Sequence, residues 1–259
     1  MILFSGRKRR QLTRVPELYD RIGRSYLTHR REDPRLAAAV RSALGPARSV
    51  VNVGAGAGAY EPADLSVVAV EPALTMTAQR PPHAAPVVSA RAEELPFRDA
   101  AFDAAMAILT VHHWANRRKG LSECARVAKR VVCFTWDPEC DGFWLTREYF
   151  PEIIHKDRAA FPTLSELGEE LGVLNVQRIP IPADCTDGFL GAYWNRPHAY
   201  LEAGVRASIS ALAAVEENNC QLAQLRADLE SGRWKRRHGH LLKRSSLDIG
   251  YCLVTAQRS

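Results

Sequence analysis

Apolar and polar positions follow two rhythms along this chain. Over residues 15–44 the apolar positions recur at three- and four-residue spacing: Leu18, Tyr19, Ile22 and Tyr26, then Leu36, Val40 and Leu44. That spacing predicts two helices. Asp33-Pro34 divides them as an N-cap with proline at the first helical position, and Gly45-Pro46 closes the second. From residue 50 onward short β-branched runs take over. Residues 50–53, 67–70, 87–88, 102–111, 131–136, 176–181 and 249–255 read as strands. Between them lie helical pieces at 59–65 (two turns at most, given Pro62), 72–79, 121–129 and 164–171. Strands alternating with helices predict an α/β fold, a doubly wound and mostly parallel seven-stranded sheet. Residues 184–244 are too long for a loop. Their helical patterning, at 205–215 and 222–229, predicts a helical cap inserted before the last strand. The expected organisation is therefore 1–45 basic tail and lid helices, 46–183 core, 184–245 cap and 246–259 final strand.

Composition narrows the class. The chain has 259 residues, 46% of them apolar and 25% charged, which is ordinary for a soluble globular protein. The net charge of +6 is concentrated in residues 7–10 and 233–237. Such clusters can meet nucleic acid or an anionic surface, or can be solvated ends. The six cysteines are scattered with no C-x-x-C pair, against zinc and against a disulfide framework. They fit a reducing compartment. Only a three-residue apolar patch, Ile2-Leu3-Phe4, lies between Met1 and the first basic run, so no signal peptide is expected. No stretch approaches the roughly 18 apolar residues of a bilayer span. A cytoplasmic protein without membrane contact is the expectation.

The chemistry concentrates around residues 49–71. After the first strand come Gly54, Gly56 and Gly58, where the chain must turn and let a ligand approach the backbone. The second strand ends at Glu71, an acid placed to accept both ribose hydroxyls of an adenosine. Gly54-x-Gly56-x-x-Ala59 also satisfies the dinucleotide fingerprint, which keeps an NAD-dependent oxidoreductase in view. Against it, a pyrophosphate site wants a well-formed helix N-terminus, and the segment that follows is short and carries Pro62.

Four motifs in register, VVNVGAGAGAYEP, VVAVEPALTM, ARAEELPFRDAAFDAAMA and ILTVHHW, make residues 15–136 resemble a class I S-adenosylmethionine-dependent methyltransferase. The resemblance is to the small-molecule UbiE/MenG-like (methyltransferase type 11) group, with a Rossmann-like core. It implies that backbone at Gly54, Gly56 and Gly58 holds the methionine part of the cofactor. It further implies that Glu71 takes the ribose, with Pro72 and Met76 against the adenine and Ala92 and Glu93 at the adenine edge. Ile108, Leu109 and His112 would line the methionine side, and Tyr19, Tyr26 and Arg30 would close over it. The product would be S-adenosyl-L-homocysteine. Two positions depart from the group: Asn52 stands where an acid is usual in the first strand, and Arg91 where one is usual before Ala92.

Methyl transfer is an in-line displacement, so alignment dominates and a base is needed only if the nucleophile carries a proton. His113 and His112, at the mouth of the fourth strand, are candidates for that base or else cap backbone groups. Asp137, past the fifth strand, is a further candidate. Trp136, Phe143, Trp144, Tyr193 and Trp194 could wall an apolar substrate site or simply build a core. No metal is expected, because only Asp137, Glu139 and Asp141 cluster near the fifth strand. The expectation is an enzyme acting on a small, apolar or aromatic metabolite, as a monomer or homodimer. A nucleic-acid methyltransferase using the basic ends, and a cofactor-binding protein without methyl transfer, are the alternatives.

Overall fold

A computed structural model describes residues 29–257. The first helix expected from the sequence, with Tyr19 and Tyr26, lies outside them. Helix α1 (Pro34–Leu44) begins as its sequence dictates: the Asp33 carboxylate accepts from the Arg35 N–H, and Pro34 fills the first turn. It buries Leu36, Val40 and Leu44.

Strands β1 (Ser49–Val53), β2 (Ser66–Val70), β3 (Val87–Val88), β4 (Phe102–Ile108) and β5 (Ala128–Trp136) run parallel in the order β3-β2-β1-β4-β5. Beyond β5 come β9 (Tyr251–Gln257), antiparallel to it, and β6 (Leu174–Arg178) at the edge. This is the mixed, mostly parallel seven-stranded sheet that the apolar runs predict. Side chains alternate across it. Val50, Ala104, Met106, Val132 and Phe134 face α1 and the late segments of the chain. Val51, Val53, Ala105, Val131 and Cys133 face α3 (Arg117–Val127) and α5 (Leu164–Leu171). With both faces covered, the central strands are continuously apolar. Each buried valine is worth about 1.5–3 kcal/mol.

Several segments differ from the pattern reading. Residues 59–65 form turns, because Pro62 and the left-handed Tyr60 (φ 63°) interrupt them. The helix expected at 72–79 shrinks to α2 (Leu74–Thr77). Helix α3 starts four residues early, on the Asn116 cap, and hands directly to a nine-residue β5. A helix not expected at all, α4 (Pro151–Ala160), follows a π-turn at Leu145–Tyr149, with Pro151 in its first turn.

The late segment is held at its base by a two-stranded ladder, β7 (Ile181–Pro182) with β8 (Ser246–Leu247). Between these strands lie short 3₁₀ turns and helices α6 (Ala203–Ser208), α7 (Cys220–Glu230) and α8 (Arg233–His238). The long helix patterned at 205–215 breaks after Ser208. None of the cysteines is paired.

Candidate active site

The carboxyl ends of β1, β2 and β4 open onto one crevice. At the end of β1 the backbone turns left-handed at Gly54 (φ 72°), Gly56 (φ 52°) and Gly58 (φ 93°). Glycine at 54 is forced sterically as well. A Cβ there would lie 2.1 Å from Thr110 Oγ1, after the end of β4. At 56 a Cβ would press on Met76 Cε at 3.3 Å.

Glu71 closes the end of β2. One carboxylate oxygen accepts from the Gly56 N–H at 2.8 Å, the other from the Ala73 N–H at 2.9 Å. Burial pushes its carboxyl up, opposed by those two N–H donors. A carboxylate offers roughly four acceptor positions. Two serve the backbone and two remain for a ligand, which is what a pair of ribose hydroxyls requires. The glycine cradle and this half-used acid therefore fit S-adenosylmethionine. Met76 is buried beneath the turn and Pro72 is exposed at its rim. Ala92 is buried, while the Glu93 carboxylate accepts from the Asn116 N–H, so the adenine edge has backbone here rather than a free acid.

Asn52 acquires a physical reason. Its amide donates to Glu61 Oε1 at 3.1 Å, and Glu61 is paired with Arg80 at 2.8 Å. Both members of that ion pair are almost fully buried. Arg80 also reaches the carbonyls of Gly56 and Ala85. An acid at 52 would face the Glu61 carboxylate; the amide supplies the donor Glu61 needs. The negative charge of this site sits on the turn rather than in the strand.

Beyond β4, Leu109 is left-handed (φ 49°) and donates to the Phe134 carbonyl, turning the chain into the 3₁₀ turn Val111–His113. Ile108 packs at the strand end. His112 stacks on Phe161 and lies against His113, both with ring centroids at 3.9 Å. Burial drives both imidazoles toward the neutral form, and the positive field of Arg30 adds to it. His113 falls to about 4 and His112 is also well below its usual range, the neighbouring His113 contributing. His113 is thus neutral at pH 7 and a weak base. Arg30 is anchored by Asp187, Nε to Oδ1 at 2.6 Å, and Asp187 also accepts from the Tyr60 hydroxyl at 2.9 Å. One buried acid of the late segment thereby ties Arg30 to the glycine turn.

A cavity of about 270 Å³ lies against Leu109, His112, His113 and Arg30. Trp136 and Phe143 line it together with Phe161, Phe189 and Tyr251. Three of the five aromatics named from the sequence do not line it. The Trp144 indole donates to the Trp194 carbonyl, and the Trp194 indole to that of Ile181; both rings are core. Tyr193 faces a different cavity, with the Arg196 guanidinium 4.7 Å over its ring. Asp137 does not line the cavity either. Its buried carboxylate pairs with Arg178 at 2.5 Å and accepts from the Glu139 N–H, a structural anchor. Tyr60, Glu61, Arg80, Asp157, Phe161, Asp187 and Tyr251 escaped the sequence reading. Of these only Glu61, beside the glycines, carried a local signal.

The strand order decides the class. A dinucleotide-binding sheet runs 3-2-1-4-5-6 with all strands parallel. Here an antiparallel β9 is wedged between β5 and β6, and the acid after β2 faces a turn instead of a pyrophosphate-binding helix. That combination defines a class I S-adenosylmethionine-dependent methyltransferase. A methyltransferase-domain family model matches residues 51–132. A candidate methyltransferase from an antibiotic biosynthesis pathway of Anabaena variabilis ATCC 29413 superposes with TM-score 0.81 at 30% identity, over 88% of this chain and 99% of that one. The chain belongs to this methyltransferase family. The fold also matches a SAM-dependent methyltransferase, possible histamine N-methyltransferase, of Thermotoga maritima (TM-score 0.51, 15% identity, 94% of each chain). A third likeness is the phosphoethanolamine N-methyltransferase 2 of Haemonchus contortus, solved with S-adenosylhomocysteine (TM-score 0.50, 16% identity, 94% of this chain and 56% of that one). A search of the curated proteins found no significant match.

Proposed function

We propose that this methyltransferase acts on a compact, apolar or aromatic small molecule, without a metal. One observation carries the reading: the cavity beside Leu109 and His112 is walled mainly by aromatic and aliphatic side chains, and Leu109 leads directly into Thr110, which packs on Gly54. A cavity of this kind fixes a small ligand by shape, with few polar groups for orientation. Bound there, the cofactor would supply an activated methyl group. The chain's own residues do the rest. Glu71 and the glycine turn hold the nucleoside, Trp136, Phe143 and Phe161 exclude water, and the neutral His112 and His113 offer hydrogen bonds at the cavity mouth.

Nucleic acid is disfavoured by how the basic run at 233–237 is used. Arg233 pairs with Asp228, Arg237 with Glu148, and Arg236 donates to the Ser231 carbonyl. Monomer and homodimer both suit the reading. The test is incubation with methyl-labelled cofactor and three substrate sets: apolar or aromatic metabolites, polar metabolites, and oligonucleotides. Labelled product is expected from the first set. Product confined to oligonucleotides, with a rate falling steeply with salt, would overturn the assignment; cofactor binding with no product in any set would do so as well.

A further inference from the structure

We propose that Asp157 is the proton acceptor of the reaction and that the methyl-accepting atom is a hydroxyl oxygen on an aromatic or enolic substrate. The inference rests on the proposed small-molecule reading. Asp157 sits on α4 and lines the same cavity as His112 and His113. Its backbone carbonyl accepts from the Phe161 N–H, which seats the ring that stacks on His112. Among the described residues the Asp157 carboxyl makes no hydrogen bond and no ion pair. A half-buried carboxyl on a largely apolar wall, with no partner among these residues, has its acceptor positions open to a ligand.

The groups around it define its chemistry. Lys156, on the same helix, is the cation whose field reaches it. Tyr251 on β9 is within its field, with a hydroxyl that burial drives well above its usual range. His112, His113 and Arg30 line the same cavity. Burial lifts the Asp157 carboxyl to about 7, Lys156 opposing. A general base works best when its pKa lies near the operating pH. Asp157 meets that condition and His113, at about 4, does not.

The same surroundings select the nucleophile. The field of Arg30 that disfavours imidazolium also disfavours a substrate ammonium at that end, and it favours a developing oxyanion. Methylating a hydroxyl whose proton goes to Asp157 leaves a neutral ether, whereas methylating a neutral arylamine develops an ammonium that a largely apolar cavity solvates poorly. The step balances. The hydroxyl proton passes to an Asp157 carboxylate oxygen, and an oxygen lone pair forms the new bond to the methyl carbon. The pair of the broken carbon–sulfur bond stays on sulfur, which leaves as a neutral thioether.

The experiment uses the full chain and Asp157→Asn, each checked for an unchanged melt and for S-adenosylhomocysteine binding by calorimetry. The carboxyl carbon of Asp157, located by its loss in the variant, is titrated by carbon-13 NMR and should move near pH 7. Both proteins are then assayed with phenol, para-cresol and beta-naphthol against aniline, para-toluidine and beta-naphthylamine. Wild type should methylate the phenols, with kcat rising to a plateau through pH 7. Asp157→Asn should lose about 100-fold in kcat and the acid limb of that profile while binding the product cofactor normally. His113→Gln should lose less. Titration of Asp157 near pH 4, full turnover by the variant, methylation of amines in preference to phenols, or normal cofactor binding with no phenol methylated would each overturn the proposal. Failure of wild type to bind S-adenosylhomocysteine would overturn the cofactor assignment beneath it instead.

Discussion

Asn52 offers the sharpest test of how the cofactor crevice is built. Asn52→Asp exchanges an N–H donor, 3.1 Å from Glu61 Oε1, for a second carboxylate oxygen. Asn52 is 2% exposed, and the side chains of Glu61 and Arg80 are 7% and 5% exposed, so solvent screens little. Two unit charges about 4 Å apart at an effective dielectric near 20 repel by about 4 kcal/mol. The lost hydrogen bond to a charged group adds about 1.5–3 kcal/mol. Arg80, which touches both Glu61 oxygens, offsets part of this and leaves a net loss of about 3–5 kcal/mol. The folded pair escapes some of that loss by holding a proton the unfolded chain releases near pH 4. Folded protein then binds more protons than unfolded above that pH, so stability of the variant falls as pH rises through the pair's raised pKa and recovers below it. Urea midpoints of wild type, Asn52→Ala and Asn52→Asp at pH 5 and pH 8 check this. Alanine should lose only the hydrogen bond at both pH values. An aspartate variant no less stable than the alanine variant at pH 8 would refute the account of Asn52.

Glu71→Ala should raise the dissociation constant for S-adenosylhomocysteine at least tenfold, since the acceptor of charge-assisted bonds is removed; calorimetry reads it, and an unchanged constant would place the ribose elsewhere. Gly54→Ala should abolish that binding, because its Cβ would sit 2.1 Å from Thr110 Oγ1. Gly172→Ala, also at positive φ (83°, ψ −143°) but with nothing within 4 Å, should cost about 1–3 kcal/mol in a denaturant titration, and Gly54→Ala more. Equal losses would show that left-handed backbone alone, not the Thr110 contact, sets the requirement. Asp187→Ala leaves Arg30 and the Tyr60 hydroxyl without their buried acceptor and should destabilise by about 3–5 kcal/mol, read as a shifted urea midpoint. Asp103 accepts from the N–H groups of Arg48 and Ser49, which hold its carboxyl down at about 2. Its stabilisation is present above the unfolded value near 4 and fades as pH falls toward 2. Asp103→Asn should flatten the acid limb of the stability curve, and an unaltered limb would count against that staple.

What was legible in the sequence and what was not divides along a physical line. The central strands β1, β4, β5 and β9 were readable because they are buried on both faces, so their own apolar runs identify them. α1 was readable because Asp33 and Pro34 carry their instructions locally. The cofactor residues belong to the same kind: glycines that must be left-handed and an acid that must end a strand announce themselves within a few positions. The cavity does not. Its walls come from the ends of β4 and β5, from α4, from the turn at 189–190 and from β9, and no spacing within one segment encodes their meeting. Trp144 and Phe143 are neighbours in sequence, yet only Phe143 reaches the cavity, because the Trp144 indole is held by the Trp194 carbonyl. Asp157 was missed for a related reason. Pro151, Glu152 and the apolar pair Ile153 and Ile154 signal a helix start, but the dense aromatics before it read as irregular chain. Once α4 is in place, Asp157 is half-buried and lines the same cavity as the histidines. A short acid on a polar helix thereby acquires a perturbed proton affinity that its neighbours in sequence could not have conferred.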